Sequence, residues 1–282
     1  MSLSYSEFPV YIGQAGASTP PNEPNGYIPA TQASINYNTN HSPNRKQGKT
    51  ISSDQFSYNG ALSADISIDC IFHTGMLSGL DFLKDENQDN FVTIKLGSGV
   101  YKKCYAKDIS VDISPFAPVT LKANFVSLDP AVGQTISGDS NPYRGEAIPL
   151  DSDAVAYGHT CSTTDSTNTL NNTQSQINFT RSYNRTPVYN IGSVNASEML
   201  LDGVEEQMSI NSTGLNNLIN FSGDALVGSL QIYVCGVGGT ATMPDTVELI
   251  KFTNGSKLLD ESFSTQGGET LVTSATIKQI KL

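Results

Sequence analysis

Two stretches of this chain are versions of one pattern, and any fold has to accommodate both. Residues 31–70 read TQASINYNTNHSPNRKQGKTISSDQFSYNGALSADISIDC, and the second version starts at Thr173 as TQSQINFTRSYNRTPVYNIGSVNASEMLLDGVEEQMSINS. Thr31, Gln32, Ile35 and Asn36 recur as Thr173, Gln174, Ile177 and Asn178, and Tyr37 is answered by Phe179. Ser67 and Ile68 recur as Ser209 and Ile210, and Gly48 matches Gly192 after a small shift. Each copy is an alternating segment, a polar loop with Pro and Gly, and a second alternating segment. That is the signature of a strand, a long connection and a strand. The chain reads as an internal duplication.

Its 282 residues suit that reading, being enough for two units of roughly 130–140 residues, each able to bury a core. The formal net charge of −11 argues against a nucleic-acid-binding surface, which needs clustered cations. Four separated cysteines (Cys70, Cys104, Cys161, Cys235) show no CxxC and no metal-ligand spacing; Cys70 and Cys235 sit in apolar strand patterns and read as reduced, buried thiols. The start, MSLSYSEFPVYIG, has neither the basic segment nor the apolar core of a signal peptide, and no run approaches the ~20 apolar residues of a membrane span. The expectation is a soluble protein made in the cytoplasm.

Residues 1–26, rich in Pro, Gly, Asn and Ser, read as an N-terminal arm in which FPVYIG at 8–13 adds one edge strand. The first unit spans 27–130. In ALSADISIDCIF, Leu62, Ala64, Ile66, Ile68 and Cys70 alternate with Ser63, Asp65, Ser67 and Asp69, a half-buried antiparallel strand. TGMLSGLDFLKDEN at 74–87 predicts a helix capped by Thr74. Three strands finish the unit, with Ile109, Val111 and Ile113 alternating in one and Val119, Leu121 and Ala123 in the next, around the turn SPFAP. Residues 131–152 are a turn-rich linker. In the second unit, 153–282, strands are expected at 174–180, 203–211, 229–235, 246–252 and 271–280, a short helix near 215–221, and an Asn-Gly turn in NGSK at 254–257. The fold class is mainly β: two tandem sandwich or half-barrel units, each with at most one substantial helix. A single sheet running through both halves would count against separate units.

Catalytic chemistry is not legible. His41, His73 and His159 lack metal or triad spacing. CGVGG at 235–239 lacks the GK[ST] ending of a phosphate loop, and KDENQDN lacks the Gly and terminal Glu of a calcium loop. DGVEE at 202–206 reads as a solvated acidic patch. The basic connection HSPNRKQGK, with His41, Asn44, Arg45, Lys46 and Lys49, stands out in an acidic chain, either as a solvated tip or as a contact loop for an acidic neighbour. No enzyme and no cofactor are expected.

The stretches INYNTNHSPNRKQGK, FSYNGALSADISID and DISVDISPFAPVTLKANFVSLDP resemble structural proteins of phages with contractile tails. Each half, over roughly 27–130 and 153–282, is similar to the tail-tube fold: a strand, a protruding hairpin, a helix, and a final strand pair. The resemblance implies a non-enzymatic virion protein that builds a ring of a tail tube, hub or tube-terminal segment, with sheets continuing between subunits around an acidic lumen for passing DNA during ejection. It implies a homo-oligomer with a trimer favoured over a hexamer, other tail or baseplate proteins as partners, passive DNA contact, no membrane segment, and a place in the virion tail. By position, residues 41–54 and 183–197 are the subunit-interface hairpins, giving His41, Asn44, Arg45, Lys46, Lys49, Arg185, Pro187 and Tyr189 as interface residues. Asp65, Asp69, Asp108, Asp112, Glu205 and Glu206 are candidate lumen-facing acids. The alternative is a carbohydrate- or receptor-binding β module of the virion, suggested by the many Asn, Ser and Thr, against which the chain has no Trp.

Overall fold

A computed structural model describes residues 10–13, 27–43, 56–72, 91–129, 162–164, 174–213, 221–226, 230–234, 247–253, 255–264 and 272–281. In chain order the strands are β1 (Val10–Ile12), β2 (Tyr27–Ile28), β3 (Ala30–Pro43), β4 (Phe56–Ile71), β5 (Val92–Leu96), β6 (Gly99–Ile113), β7 (Thr120–Asp129), β8 (Ser162–Thr164), β9 (Gln174–Val188) and β10 (Glu198–Thr213), followed by β11 (Phe221–Ser222), β12 (Ala225–Leu226), β13 (Leu230–Val234), β14 (Val247–Phe252), β15 (Lys257–Ser264) and β16 (Val272–Lys281). The mainly β expectation holds: among the described residues there is no helix. The helix expected at 74–87 and the linker at 131–152 lie outside them, as does most of the arm. The short helix expected near 215–221 also lies outside, apart from Phe221, which begins β11.

Thirteen strands form one antiparallel sheet, and a three-stranded sheet runs β14-β13-β8. The large sheet passes through β3, β4, β7, β6, β9, β10, β16 and β15, then to β12 and β11. The two halves therefore share one sheet, because β6 of the first half pairs directly with β9 of the second, from Asp108↔Ser182 to Ile113↔Ile177. What repeats is the strand order. β3-β4-β7-β6 and β9-β10-β16-β15 are the same path through four strands.

Register and irregularities repeat with it. Ile68 pairs with Ala123 on β7, and Ile210 pairs with Ala275 on β16. The β6–β7 ladder shifts between Ala106 and Asp108, leaving Lys107 as the extra residue; the β15–β16 ladder shifts at the same place, leaving Leu259. Thr31 in β3 and Ser175 in β9 are a second matching bulge. A bulge adds local twist and bend, so two in equivalent places give both halves the same curvature. Ladder pairing also corrects the sequence match by two residues: the partner of Ile68 is Ala33, whereas that of Ile210 is Ile177.

One face of this sheet is apolar because the strands alternate with period two. Ile68, Ala123 and Ile109 lie side by side, and the next row runs Cys70, Leu121, Val111, Phe179, Met208 and Ile277, all buried. Over this face lie β1, β2 and β5 in the first half, contributing Val10, Ile12, Ile28, Val92 and Ile94 to the same core. Leu230 of β13 and Phe252 of β14 do so in the second, with Phe252 edge-on to Phe179 at 6.4 Å. β1 is no edge strand, being paired on both sides by β2 and β5.

Candidate functional site

Opposite the apolar face, the same strands display a broad polar surface. One row across it reads Ser34, Ser67, Asn124, Asp108, Ser182 and Glu205; another reads Gln32, Asp69, Lys122, Ser110, Thr180, Gln207 and Lys278. Five of the six acids singled out from sequence fall on it: Asp65, Asp69, Asp108, Asp112 and Glu205. Each has a partner within its own chain. Asp65 takes Lys107 Nζ at 3.2 Å and Asn38 Nδ2 at 2.8 Å, and Lys122 lies 3.8 Å from Asp69. Asn124 donates to Asp108 and Asn178 to Asp112, the second across the junction of the two halves. Glu205 pairs with Lys278 at 2.7 Å, and that hydrogen bond holds its carboxyl below the ordinary value of 4.5.

Glu206 is the exception and a correction. Strand alternation turns it to the apolar side, where it is fully buried. Its Oε1 accepts from Arg181 Nε at 2.6 Å, Oε2 accepts from Gln279 Nε2, and Lys281 Nζ lies 3.1 Å from Oε2. Arg181, Glu206 and Gln279 are directly opposed on β9, β10 and β16, forming a charged row through the core. Gln279 Oε1 in turn accepts from the Ser256 hydroxyl at 3.2 Å and the Thr253 amide at 3.2 Å. Burial opposes the Arg181 charge, but Tyr183 and Glu206 outweigh it and hold the guanidinium above its usual value. The DGVEE acids are thus divided: Asp202 is exposed and accepts from Thr186, Glu205 faces the polar side, and Glu206 lies in the core.

Sequence reasoning missed Arg181, although a signal was present. Ile177, Phe179, Arg181 and Tyr183 share one side of β9, and Val204, Glu206, Met208 and Ile210 share one side of β10.

No known family model matches this chain, and no curated protein matches it.

Of the interface residues, Asn44, Arg45, Lys46 and Lys49 lie outside the described residues, and His41 is placed only as part of β3, opposite Tyr58. Arg185 is engaged by its own chain: its guanidinium sits 5.2 Å from both the Tyr105 and Tyr183 rings and donates to the Ala106 carbonyl at 3.3 Å. Pro187 is exposed opposite Met199, and Tyr189 is exposed in the connection. The β9–β10 connection folds back onto the first half. Leu62 donates its amide to the Val194 carbonyl at 2.9 Å, and Ala196 is buried in a second cluster with Tyr105 and Leu128, flanked by Phe91, Val126 and Met199. This cluster covers the polar side of β7 at one end.

Among the described residues no group of His, Cys, Asp and Glu could hold a metal ion, and no helix is long and apolar enough to cross a membrane. The Cys70 and Cys104 thiols are pushed up to about 12 by burial, away from the thiolate a nucleophile needs.

Proposed function

We propose that this chain is a non-enzymatic structural protein of a virion that builds a ring of a phage tail tube, hub or tube-terminal segment. The observation that carries the reading is the repeated four-strand path with its two halves joined edge to edge. An element that pairs with its own duplicate by strand edges, and among the described residues still has edges at both ends, is suited to head-to-tail assembly, which closes as a ring when the rotation between units divides a full turn. Two units per chain close a six-unit ring with three chains.

The polar face supports the conduit part of the reading. Its acids are held by lysines and asparagines within the chain, giving a hydrophilic surface on which Lys107, Lys122, Lys257 and Lys278 are each paired with an acid. DNA phosphates would find few counter-charges to adhere to there. Glu206 takes no part in that surface.

Mass photometry of the purified full-length protein, with negative-stain imaging, tests the proposal. Annular particles of three chain masses support it. Rings of six chains retain the ring and overturn the trimer, and monomers at every concentration overturn both in favour of a binding module.

A further inference from the structure

Where β15 begins and β16 ends, the second half has a cleft whose chemistry the equivalent corner of the first half does not share. Counting from the shared bulge, Lys107 corresponds to Leu259. Tyr105, which pairs with Val126, corresponds to Lys257, which pairs with Lys278. Further along the partner strands, Leu128 and Asp129 correspond to Ile280 and Lys281. In the first half this corner is closed and apolar, with Tyr105 and Leu128 buried against Ala196 of the β9–β10 connection. In the second half it is a cleft of about 510 Å³, lined among others by Lys257, Leu259, Lys278, Ile280 and Lys281. Leu259 is 55% and Ile280 59% exposed.

Lys257 and Lys278 are directly opposed across the ladder, an arrangement in which like charges repel and cost stability. Lys281 adds a third ammonium, and among the described residues no acid lines the cleft. Each lysine is steadied by one carboxylate: Lys257 by Asp224 at 2.9 Å, Lys278 by Glu205 at 2.7 Å and Lys281 by Glu206 at 3.1 Å. The Lys257 and Lys278 side chains are still 57% and 28% exposed. An ammonium has three donors and can serve a second carboxylate beside the first. With its partners, the corner holds Arg181, Lys257, Lys278 and Lys281 against Asp224, Glu205 and Glu206, one cation in excess. The chain as a whole has a net charge of −11.

The wall is held by backbone bonds. Gly255, with φ +93°, turns the chain toward β15 and donates its amide to the Leu226 carbonyl at 2.9 Å. Leu226 donates to the Ser256 carbonyl and Leu258 to the Asp224 carbonyl, both at 2.8 Å. Gln279, also in the lining, is tied to Ser256 and Glu206.

We propose that this cleft docks an acidic peptide segment of a partner protein. The segment sets an aliphatic side chain against Leu259 and Ile280 and places its flanking carboxylates on Lys257, Lys278 and Lys281. Charge complementarity selects the partner: the chain as a whole repels an acidic segment, so the local excess of cations fixes where it lands. Nucleic acid offers phosphates but no aliphatic group to cover the two exposed side chains. The site stands apart from the ring reading, since one chain carries all of it.

Fluorescence polarisation with full-length protein and a dye-labelled peptide, Glu-Leu-Glu-Leu-Glu, tests the proposal. The controls are Gln-Leu-Gln-Leu-Gln, Glu-Ser-Glu-Ser-Glu and a short DNA duplex. Saturable binding of the first peptide is expected, weaker for every control by about tenfold or more. Lys257→Met with Lys278→Met should weaken it by about tenfold, and Leu259→Ser with Ile280→Ser by about threefold or more, each with the parent's circular dichroism and melting. No saturable binding overturns the proposal. Equal binding of the serine peptide or of DNA overturns it in favour of a bare cationic patch, and undiminished binding by the lysine variant places the peptide elsewhere. None of these outcomes alters the ring, which mass photometry reads separately.

Discussion

Four strands in each half carry one equivalent row of side chains across the apolar face, and the two rows have been filled by opposite chemistry. In the first half the row is Tyr37, Ala64, Ser127 and Cys104; in the second it is Arg181, Glu206 and Gln279, with Ser256 bonded to Gln279 at the end. Tyr37 finds its partner in the hydroxyl of Tyr101 at 2.8 Å, and Ser127 donates to the Lys102 carbonyl at 2.8 Å. The first row satisfies its polar atoms with neutral neighbours. The second places a full ion pair in the core and surrounds it with further donors. Backbone pairing alone therefore does not dictate the interior; the same path of strands accepts either solution if each buried polar atom is answered.

The comparison breaks most visibly at Glu206. Replacing it with Ala leaves Arg181 buried without its carboxylate and should cost about 3–5 kcal/mol in urea unfolding. Importing the first half's residues together, as Arg181→Tyr, Glu206→Ala and Gln279→Ser, should recover most of that loss. If the single variant costs under about 1 kcal/mol, the pair does not hold the core.

Alkali probes the opposite half. Cys70 and Cys104 have ordinary values of 9.0 and are raised to about 12 by burial. The folded state therefore holds protons that the unfolded state releases. The thiols' contribution should be constant below pH 9 and fall as pH rises from there toward 12, by up to about 1.4 kcal/mol per pH unit for each thiol. Cys104→Ser, which supplies the residue found at Ser256, should flatten the slope in denaturation melts at pH 8, 9 and 10. A slope unchanged by the substitution would exclude the thiol as its source.

Removing the neutral row's hydroxyl is a smaller perturbation. Ser127→Ala should cost about 1 kcal/mol, measured by the same urea titration, and a loss as large as that of Glu206→Ala would erase the distinction between the rows. The smallest effect is expected on the polar face. Lys278 holds the Glu205 carboxyl below 4.5, so its contribution is present above that value and lost as pH falls through the lowered one. Lys278→Met should move the acid unfolding midpoint slightly upward in pH and leave neutral stability nearly unchanged.

Alternation made much of this legible from sequence. ALSADISIDC, DISVDIS and VTLKANF announced β4, β6 and β7 with the right residues inward, and the recurrence at Thr173 announced the repeated hairpin. Which strand edges would meet is not written in either copy taken alone, so the β6·β9 junction was invisible. β15 escaped notice because KLLDESFS shows no sustained alternation of apolar and polar residues. Glu206 was grouped with Glu205 because they adjoin in sequence, though adjacent residues on a strand face opposite ways. Arg181 reads as part of a polar run until Glu206 is set across from it.

The junction of the two halves also governs time. The hairpins β3–β4, β6–β7 and β9–β10 join neighbouring segments and can form early, whereas the β6·β9 ladder must close the chain from Ile113 to Ile177. Long closures form late. Until β9 arrives, β6 offers a bare edge, and a β3 strand from another molecule is the nearest imitation of the strand it awaits. Refolding is thus a race between an intramolecular closure, independent of concentration, and an intermolecular capture that accelerates with it. Dilution favours the correct partner, and a newly made chain is most exposed to capture while its first half waits for the second.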